Sequence, residues 1–294
     1  MRTKTHAMSL VLALILCLAS SAISFAEEDP VGTAAMMGIG MGARALGMGG
    51  AGIAIADDAS TIYYNPAGLG LIQGRAVTSL YTNHHGAAGY LAAGYAQKNM
   101  GAGILRLDAS GIDKTDEFAD VIGVFGATEL TAMAGYGRTV IPGLSVGGSV
   151  KYYSQTLPAN SGSGVTGDIG VLYEVGSGNF RVGAVARNVV GAVKYDEGAS
   201  DSFDRSYGIG AAFRPTEPLL IAADVVIEDG VEARAGAEYS FGSITVRAGG
   251  SFGAGSSSLS AGAGFAASVF TVDYAYQTHS VLPDSHRFSL NLKF

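Results

Sequence analysis

The sequence predicts an all-β fold, a transmembrane antiparallel β-barrel of about 14 strands. Three observations predict it. From Arg75 onward the chain divides into stretches of about ten residues that alternate with period two. The connections between these stretches sort into a short set and a longer, more polar set. Charged residues within the stretches keep mostly to one parity.

The chain of 294 residues begins with "MRTKTHAMSLVLALILCLASSAISFA". Arg2 and Lys4 precede an apolar run from Met8 to Leu18, and Ser24 and Ala26 stand at the −3 and −1 positions before Glu27. That pattern reads as a secretory signal peptide, residues 1–26, too short for a spanning helix. Cys17, the only cysteine, lies inside the run, and Leu16 before it is not the small residue that a lipoprotein signal needs. The mature chain is therefore expected to lack thiol chemistry and disulfides. Loss of Arg2 and Lys4 takes the formal charge from −7 to about −9, a balance that gives no support to nucleic-acid binding. Beyond residue 26 no apolar run reaches the roughly 20 residues of a spanning helix, although mean hydropathy is +0.29. An exported chain this apolar is either a soluble β-rich protein or a membrane barrel.

Residues 27–74 precede the first strand, are Gly-rich and do not read as barrel. They contain "GMGARA" and "GMGGAG", two loose matches to a dinucleotide fingerprint, which lack the strand–helix setting that such a site requires. They also contain "AIADDASTIYYNPAGLGLIQG". Asp57 or Asp58 is expected to cap a short helical turn through "DDASTIYY". Asn65 is expected to be extended before Pro66 and to cap the turn that follows. Adjacent carboxylates on a turn point apart, so this is not an acid–base pair.

Residues 75–294 read as the barrel, with strands near 75–83, 86–97, 101–110, 127–138, 144–156, 164–176, 179–191, 204–215, 218–228, 231–241, 243–253, 258–268, 269–279 and 286–294. The connections "KNM", "IPG", "GSGN", "PTE", "FGS" and "AS" are short, as periplasmic turns are. "GIDKTDEFADVIGVFGA", "TLPANSGSG" and "GAVKYDEGASDSFD" form the longer, extracellular set. A Lys or Arg facing lipid at the midplane costs about 2–4 kcal/mol, so charges must turn inward. The lumen-facing charges are expected to be Arg106, Asp108, Lys151, Asp168, Arg181, Arg187, Asp224, Glu232, Arg234, Glu238, Arg247, Asp273 and Arg287, with Glu174 and Glu228 in the same scheme. A soluble barrel would instead pack its apolar face inward. Yet the polar-face glycines Gly147, Gly170, Gly183, Gly236 and Gly249 would fill such a core poorly, and would suit thin walls around a plug. The last strand, "HRFSLNLKF", sets Phe288, Leu290, Leu292 and Phe294 against Arg287, Ser289, Asn291 and Lys293. A terminal Phe on such a strand is the usual mark of a bacterial outer-membrane barrel.

The run "GARALGMGGA…ADDAS…YNPAGL" resembles the N-terminal region of PorV/PorQ-type proteins, within the FadL-like, long-chain fatty acid transporter-like family of outer-membrane barrels. The close match covers about thirty residues, and the rest of the mature chain fits only as a strand pattern. The resemblance implies a hatch within the barrel, with Asp57, Asp58, Tyr63, Tyr64, Asn65, Pro66 and Ala67 as the hatch and gating candidates. It also implies passage of small hydrophobic molecules across the bacterial outer membrane by hatch-gated diffusion. The expected partners are outer-membrane lipid and a hydrophobic small-molecule ligand. The alternative, a PorV-like adaptor in protein secretion or surface attachment, implies a secretion-machinery partner instead. No enzyme is expected, and neither cofactor nor metal. His84, His85, His279 and His286 flank the first and last hairpins and read as exposed loop residues rather than as a zinc or copper site. Tyr90, Tyr95, Tyr152, Tyr239 and Phe252 are expected in aromatic girdles, and Met36, Met37, Met41 and Met48 within the hatch.

Overall fold

In the computed structural model the described residues are 33–294, apart from 85, 87, 159, 177, 254–255 and 280–281. The expected signal peptide, residues 1–26, and residues 27–32 lie outside them.

Strong period-two alternation makes strands, and the strands are β1 (Arg75–His84), β2 (Ala88–Gln97), β3 (Met100–Thr115), β4 (Val121–Ile141), β5 (Leu144–Thr156), β6 (Gly162–Val175), β7 (Phe180–Arg187), β8 (Ala192–Tyr195), β9 (Ser200–Ser202), β10 (Ser206–Thr216), β11 (Leu219–Ile227), β12 (Val231–Phe241), β13 (Ile244–Gly253), β14 (Ser256–Ala267), β15 (Phe270–Gln277) and β16 (Ser285–Lys293). All belong to one sheet. Short β8 and β9 hang from the Gly162 end of β6. The other fourteen pair antiparallel in chain order, and the β1–β16 and β5–β6 pairings close the barrel. Closure leaves no free edge in the barrel wall. At one end the connections are tight. Asn99, Gly143 and Gly242 take left-handed φ values of 70°, 84° and 63°, which lets short turns reverse the chain there.

Each of the fourteen strand segments read from the sequence overlaps one barrel strand. Two stretches differ. Residues 111–126, expected as a loop, instead extend β3 and β4 into a paired ribbon beyond their neighbours, with register shifts that admit its extra residues. The β-branched run at Val121, Ile122 and Val124 favours pairing there. β8 and β9 also form inside an expected loop, where Val193 and Phe203 become buried against Tyr153.

Burial follows the alternation. In β11, Leu220, Ala222, Asp224 and Val226 are buried, whereas Ile221, Val225 and Ile227 are exposed. The outward parity carries exposed Tyr81, Leu91, Tyr136, Val150, Ile169, Phe213, Val246 and Leu290 around the wall. Tyr95, Tyr152, Tyr239 and Phe252 are exposed as well, but Tyr90 faces inward, fully buried, and donates to the Gly40 carbonyl at 2.9 Å. Among the described residues no helix is long and apolar enough to cross a membrane.

Residues 33–74 pack against the inner face. They form short helices α1 (Ala43–Leu46) and α2 (Thr61–Tyr64), with 3-10 turns at Ala35–Gly38 and Pro66–Gly70. Met41, Ile62 and Leu69 are fully buried against Leu80, Tyr90, Leu105 and Met133 of the wall. Burial of each such side chain contributes about 1.5–3 kcal/mol. The wall is thin where the backbone of this segment approaches. A Cβ at Gly147 would strike the Pro66 carbonyl, and one at Gly249 the Met48 backbone. Gly170, Gly183 and Gly236 face Asn65, the Ile53 carbonyl and Met48 in the same way.

Neither backbone at Gly249 can yield. Gly249→Val is therefore expected to cost about 1–3 kcal/mol of unfolding free energy in a denaturant titration of the refolded barrel. Ala248→Val, on the outward parity next door, is expected to change it by under about 0.5 kcal/mol. Equal effects would contradict this packing.

Candidate functional site

Most of the interior charges pair up, Arg187, Asp224 and Arg287 excepted among the described residues. Lys151 Nζ lies 2.6 Å from Asp168 Oδ1, Arg181 Nε 2.9 Å from Glu174 Oε1, and Arg234 Nη2 2.5 Å from Glu232 Oε2. Arg247 reaches Glu238 at 2.8 Å and Asp273 at 2.7 Å, and Asp273 accepts from Asn291 at 2.6 Å. Unpaired, any of these charges would be costly in so dry a setting.

Arg44 of α1 completes this array from the segment. Its Nε and Nη2 donate to the two oxygens of Glu238 at 2.8 and 2.9 Å, a bidentate pair. Its Nη1 and Nη2 donate to Asp57 at 2.5 and 3.2 Å, and Nη1 reaches Asp58 at 3.3 Å. One guanidinium thus ties α1, the Asp57 turn and strand β12 together. Burial pushes the Asp57 carboxyl up, but Arg44 beside it outweighs that and holds it below the usual carboxylate range. The backbone of the segment is tied too. Asp224 accepts from Gly52 N at 2.7 Å and Ile53 N at 3.0 Å, Arg187 donates to the Tyr64 carbonyl at 2.9 Å, and Ser289 accepts from Ala43 N at 3.2 Å.

The expected site residues fall out as follows. Asp57 engages Arg44 rather than capping a helix. Asp58 accepts from Ser60 N at 2.8 Å, an Asx turn, and Ser60 precedes α2 without a capping side chain. Tyr63 donates to the Met37 carbonyl at 2.6 Å and meets Tyr64 edge-on at 4.9 Å. Burial raises both phenols above their ordinary range. Asn65 is extended (φ −162°, ψ 105°), accepts from Ala67 N at 3.1 Å, and donates to the carbonyls of Ile53 at 3.1 Å and Val171 at 3.0 Å. Pro66 and Ala67 are buried. Lys151, Asp168, Arg181, Arg187, Asp224, Glu232, Arg234, Glu238, Arg247, Asp273 and Arg287 share the inward parity.

Arg106 and Asp108 do not. They lie on the outward parity near the far rim of β3 and pair with each other at 2.7 Å, both about half exposed. The inward positions of β3 are Gly101, Gly103, Leu105 and Leu107, which meet the apolar Ile62, Leu69, Met41 and Met133. A polar-inward rule fails where the interior is filled by apolar side chains. Arg44 itself was not singled out, although it is the only charged residue between 31 and 56, a signal the composition of that stretch carries.

Two cavities that share Tyr63 border the segment, besides one of about 200 Å³ at Ala54, Ile55 and Asp57. One of about 310 Å³ is lined by Tyr63, Tyr64, Arg234, Ser258, Gln277 and Arg287, and reaches His84 and His279 at the rim. The second, about 60 Å³, shares Ala35, Gly38, Tyr63 and Arg234 with it and continues to Lys151 and Arg187. His85 lies outside the described residues. His286 sits 2.7 Å from the Tyr274 hydroxyl. Among the described residues no group of three His, Cys, Asp or Glu side chains could hold a metal ion.

Replacing Arg44 with Gln leaves Glu238 and Asp57 facing one another in the interior and is expected to cost about 3–5 kcal/mol of unfolding free energy. The Asp57 contribution is present above the ordinary carboxylate pKa of about 4 and is lost as pH falls through its lowered value. Asp57→Asn is therefore expected to flatten the acid limb of unfolding midpoint against pH below about pH 4. An unchanged acid limb would contradict the Arg44 assignment.

No protein-family model matches the chain, and no curated protein matches it. Solved structures do. The "CymD monoaromatic hydrocarbon channel" superposes with a TM-score of 0.64 at 16% identity, over 87% of this chain and 98% of that one. The Ralstonia pickettii toluene transporter TbuX gives 0.62 at 16%, over 87% and 98%. A Pseudomonas aeruginosa FadL homologue gives 0.63 at 12%, over 85% and 97%. At such identities the likeness is one of fold alone.

Proposed function

We propose that this chain is a FadL-like barrel of the bacterial outer membrane that passes small hydrophobic molecules, long-chain fatty acids among them, by hatch-gated diffusion. Residues 27–74 would be the hatch and residues 75–294 the transmembrane barrel, after removal of a signal peptide, residues 1–26. The observation that carries this reading is the Arg44 clamp. Arg44 is the one guanidinium that joins α1, the Asp57 turn and β12, beside the backbone ties to Asp224, Arg187 and Ser289. Loss of its contacts would free α1, whose Leu46 borders the larger cavity. The apolar outward belt supports insertion in lipid. The shared fold with proteins named for toluene and monoaromatic hydrocarbons supports passage of apolar solutes.

A second reading, a PorV-like adaptor for secretion or surface attachment, draws on the sequence resemblance and on one structural feature. The β3–β4 ribbon stands beyond the barrel with Phe118, Val121, Ile122 and Val124 exposed. On that reading the ribbon docks a secretion-machinery protein and the barrel only anchors it.

The two separate in proteoliposomes. Uptake of toluene and of a long-chain fatty acid is expected through the wild-type barrel. Arg44→Gln should accelerate it by about tenfold or more, since 1.4 kcal/mol of lost clamping already shifts an opening equilibrium tenfold. Deletion of residues 110–126 should leave uptake intact. Absence of uptake in both wild type and Arg44→Gln would favour the adaptor.

A further inference from the structure

Arg287 of β16 is a buried cation with nothing to neutralise it. It is 4% exposed, its Nε has no hydrogen-bond partner, and no ion pair involves it among the described residues. Of the inward-facing wall cations, Arg187 also lacks an ion pair among the described residues, but it donates to the Tyr64 carbonyl. Arg44, Arg181, Arg234, Arg247 and Lys151 each hold a carboxylate within ion-pair distance, including Glu232, which lines the same cavity but is taken by Arg234. Thr82 and Ala275, its cross-strand neighbours, bring no charge. An uncompensated guanidinium in such a place destabilises the barrel unless something comes to meet it.

The cavity beside it is built for an anion of a particular shape. At about 310 Å³ it is lined by Ser251, Ser258, Gln277 and Thr278 on one side. Leu46, Ile39 and the rings of Tyr63 and Tyr64 supply a short apolar stretch on the other. Ser251 and Ser258 bond one another at 3.0 Å, Gln277 donates to Ser258 at 2.8 Å, and Thr278 is engaged with the Leu259 backbone. The second amide proton of Gln277 can then join a carboxylate that Arg287 receives in a forked, charge-assisted pair. Tyr63 and Tyr64 meet edge-on there with ring centroids 4.9 Å apart, an aromatic border that suits a ring.

We infer that this cavity is a recognition site for compact organic carboxylates of the aromatic acid type, with Arg287 receiving the carboxylate and Tyr63, Tyr64 and Leu46 bordering the ring. This rests on the channel reading and narrows it, because it sets the preferred solute apart from neutral hydrocarbons and from long-chain acids.

The test uses the full chain purified in detergent and titrated calorimetrically with benzoate, toluene and palmitate in turn. Benzoate is expected to bind at least tenfold more tightly than either. Arg287→Met is expected to weaken benzoate by about 10- to 100-fold, the range of a lost hydrogen bond to a charged group. The same variant should unfold at an equal or higher temperature than wild type, because an unpaired buried charge is gone. Arg287→Lys keeps the charge without the fork and should fall between the two, so the assignment stays testable if Arg287→Met does not fold. Equal affinity for toluene and benzoate, tighter binding of palmitate, or benzoate binding unaffected by either variant would each overturn it. Uptake in proteoliposomes keeps the two claims distinct. Toluene uptake without benzoate binding leaves the channel and removes this site, whereas benzoate binding without uptake of any solute leaves the site and removes the channel.

Discussion

Two carboxylates face one another across Arg44, Glu238 on the barrel wall and Asp57 on the segment inside it. Much of the interior depends on that meeting. Closing a barrel in lipid drives charges inward, where water is scarce, and each then needs a partner. Glu238 is shared between Arg44 and Arg247, Arg247 is shared with Asp273, and Asp273 holds Asn291. Removal of one guanidinium therefore disturbs strands β12, β13, β15 and β16 at once. Electrostatics sets the position of α1, and packing then fixes the rest.

That packing is possible because the wall has almost no depth where the segment touches it. At Gly147 and Gly249 any side chain would collide with the backbone of Pro66 or Met48. Elsewhere the contact is apolar, through Met41, Ile62 and Leu69. The segment is thus held in two ways, by burial over much of its length and by charge at α1. On the channel reading proposed above, release of the segment would begin at this charged contact.

Most of the barrel was legible in the sequence because its period is two and its interior is polar. In β12, Glu232, Arg234 and Glu238 declare their face against Val231, Ala233 and Ala237. The same logic failed in β3. There Leu105 and Leu107 face inward and Arg106 and Asp108 outward, because the segment presents methionine, isoleucine and leucine to that part of the wall. Inside and polar are synonyms only where the lumen is wet or charged. The β3–β4 ribbon was hidden for another reason. Its acidic tip reads as loop, and pairing between 112–115 and 121–125 depends on register shifts that no local pattern announces. Within the candidate site, the turn at Asn65, Pro66 and Ala67 could be read from residue chemistry alone. The partner of Asp57 could not, since Arg44 meets it only after the chain has folded.

The claim that residues 33–74 gate the barrel by moving at α1 is tested most directly by locking them in place. Gly47 follows α1, and a Cβ built there would stand 3.6 Å from the Cβ of Ala275 on β15, within the range of disulfide-bonded pairs. The cysteine pair Gly47→Cys and Ala275→Cys, made in a Cys17-free mature chain, can be oxidised and reduced in the same proteoliposomes. The account predicts that the disulfide forms, that solute uptake stops on oxidation, and that reduction restores it. Uptake that continues at the same rate through the oxidised protein would contradict it.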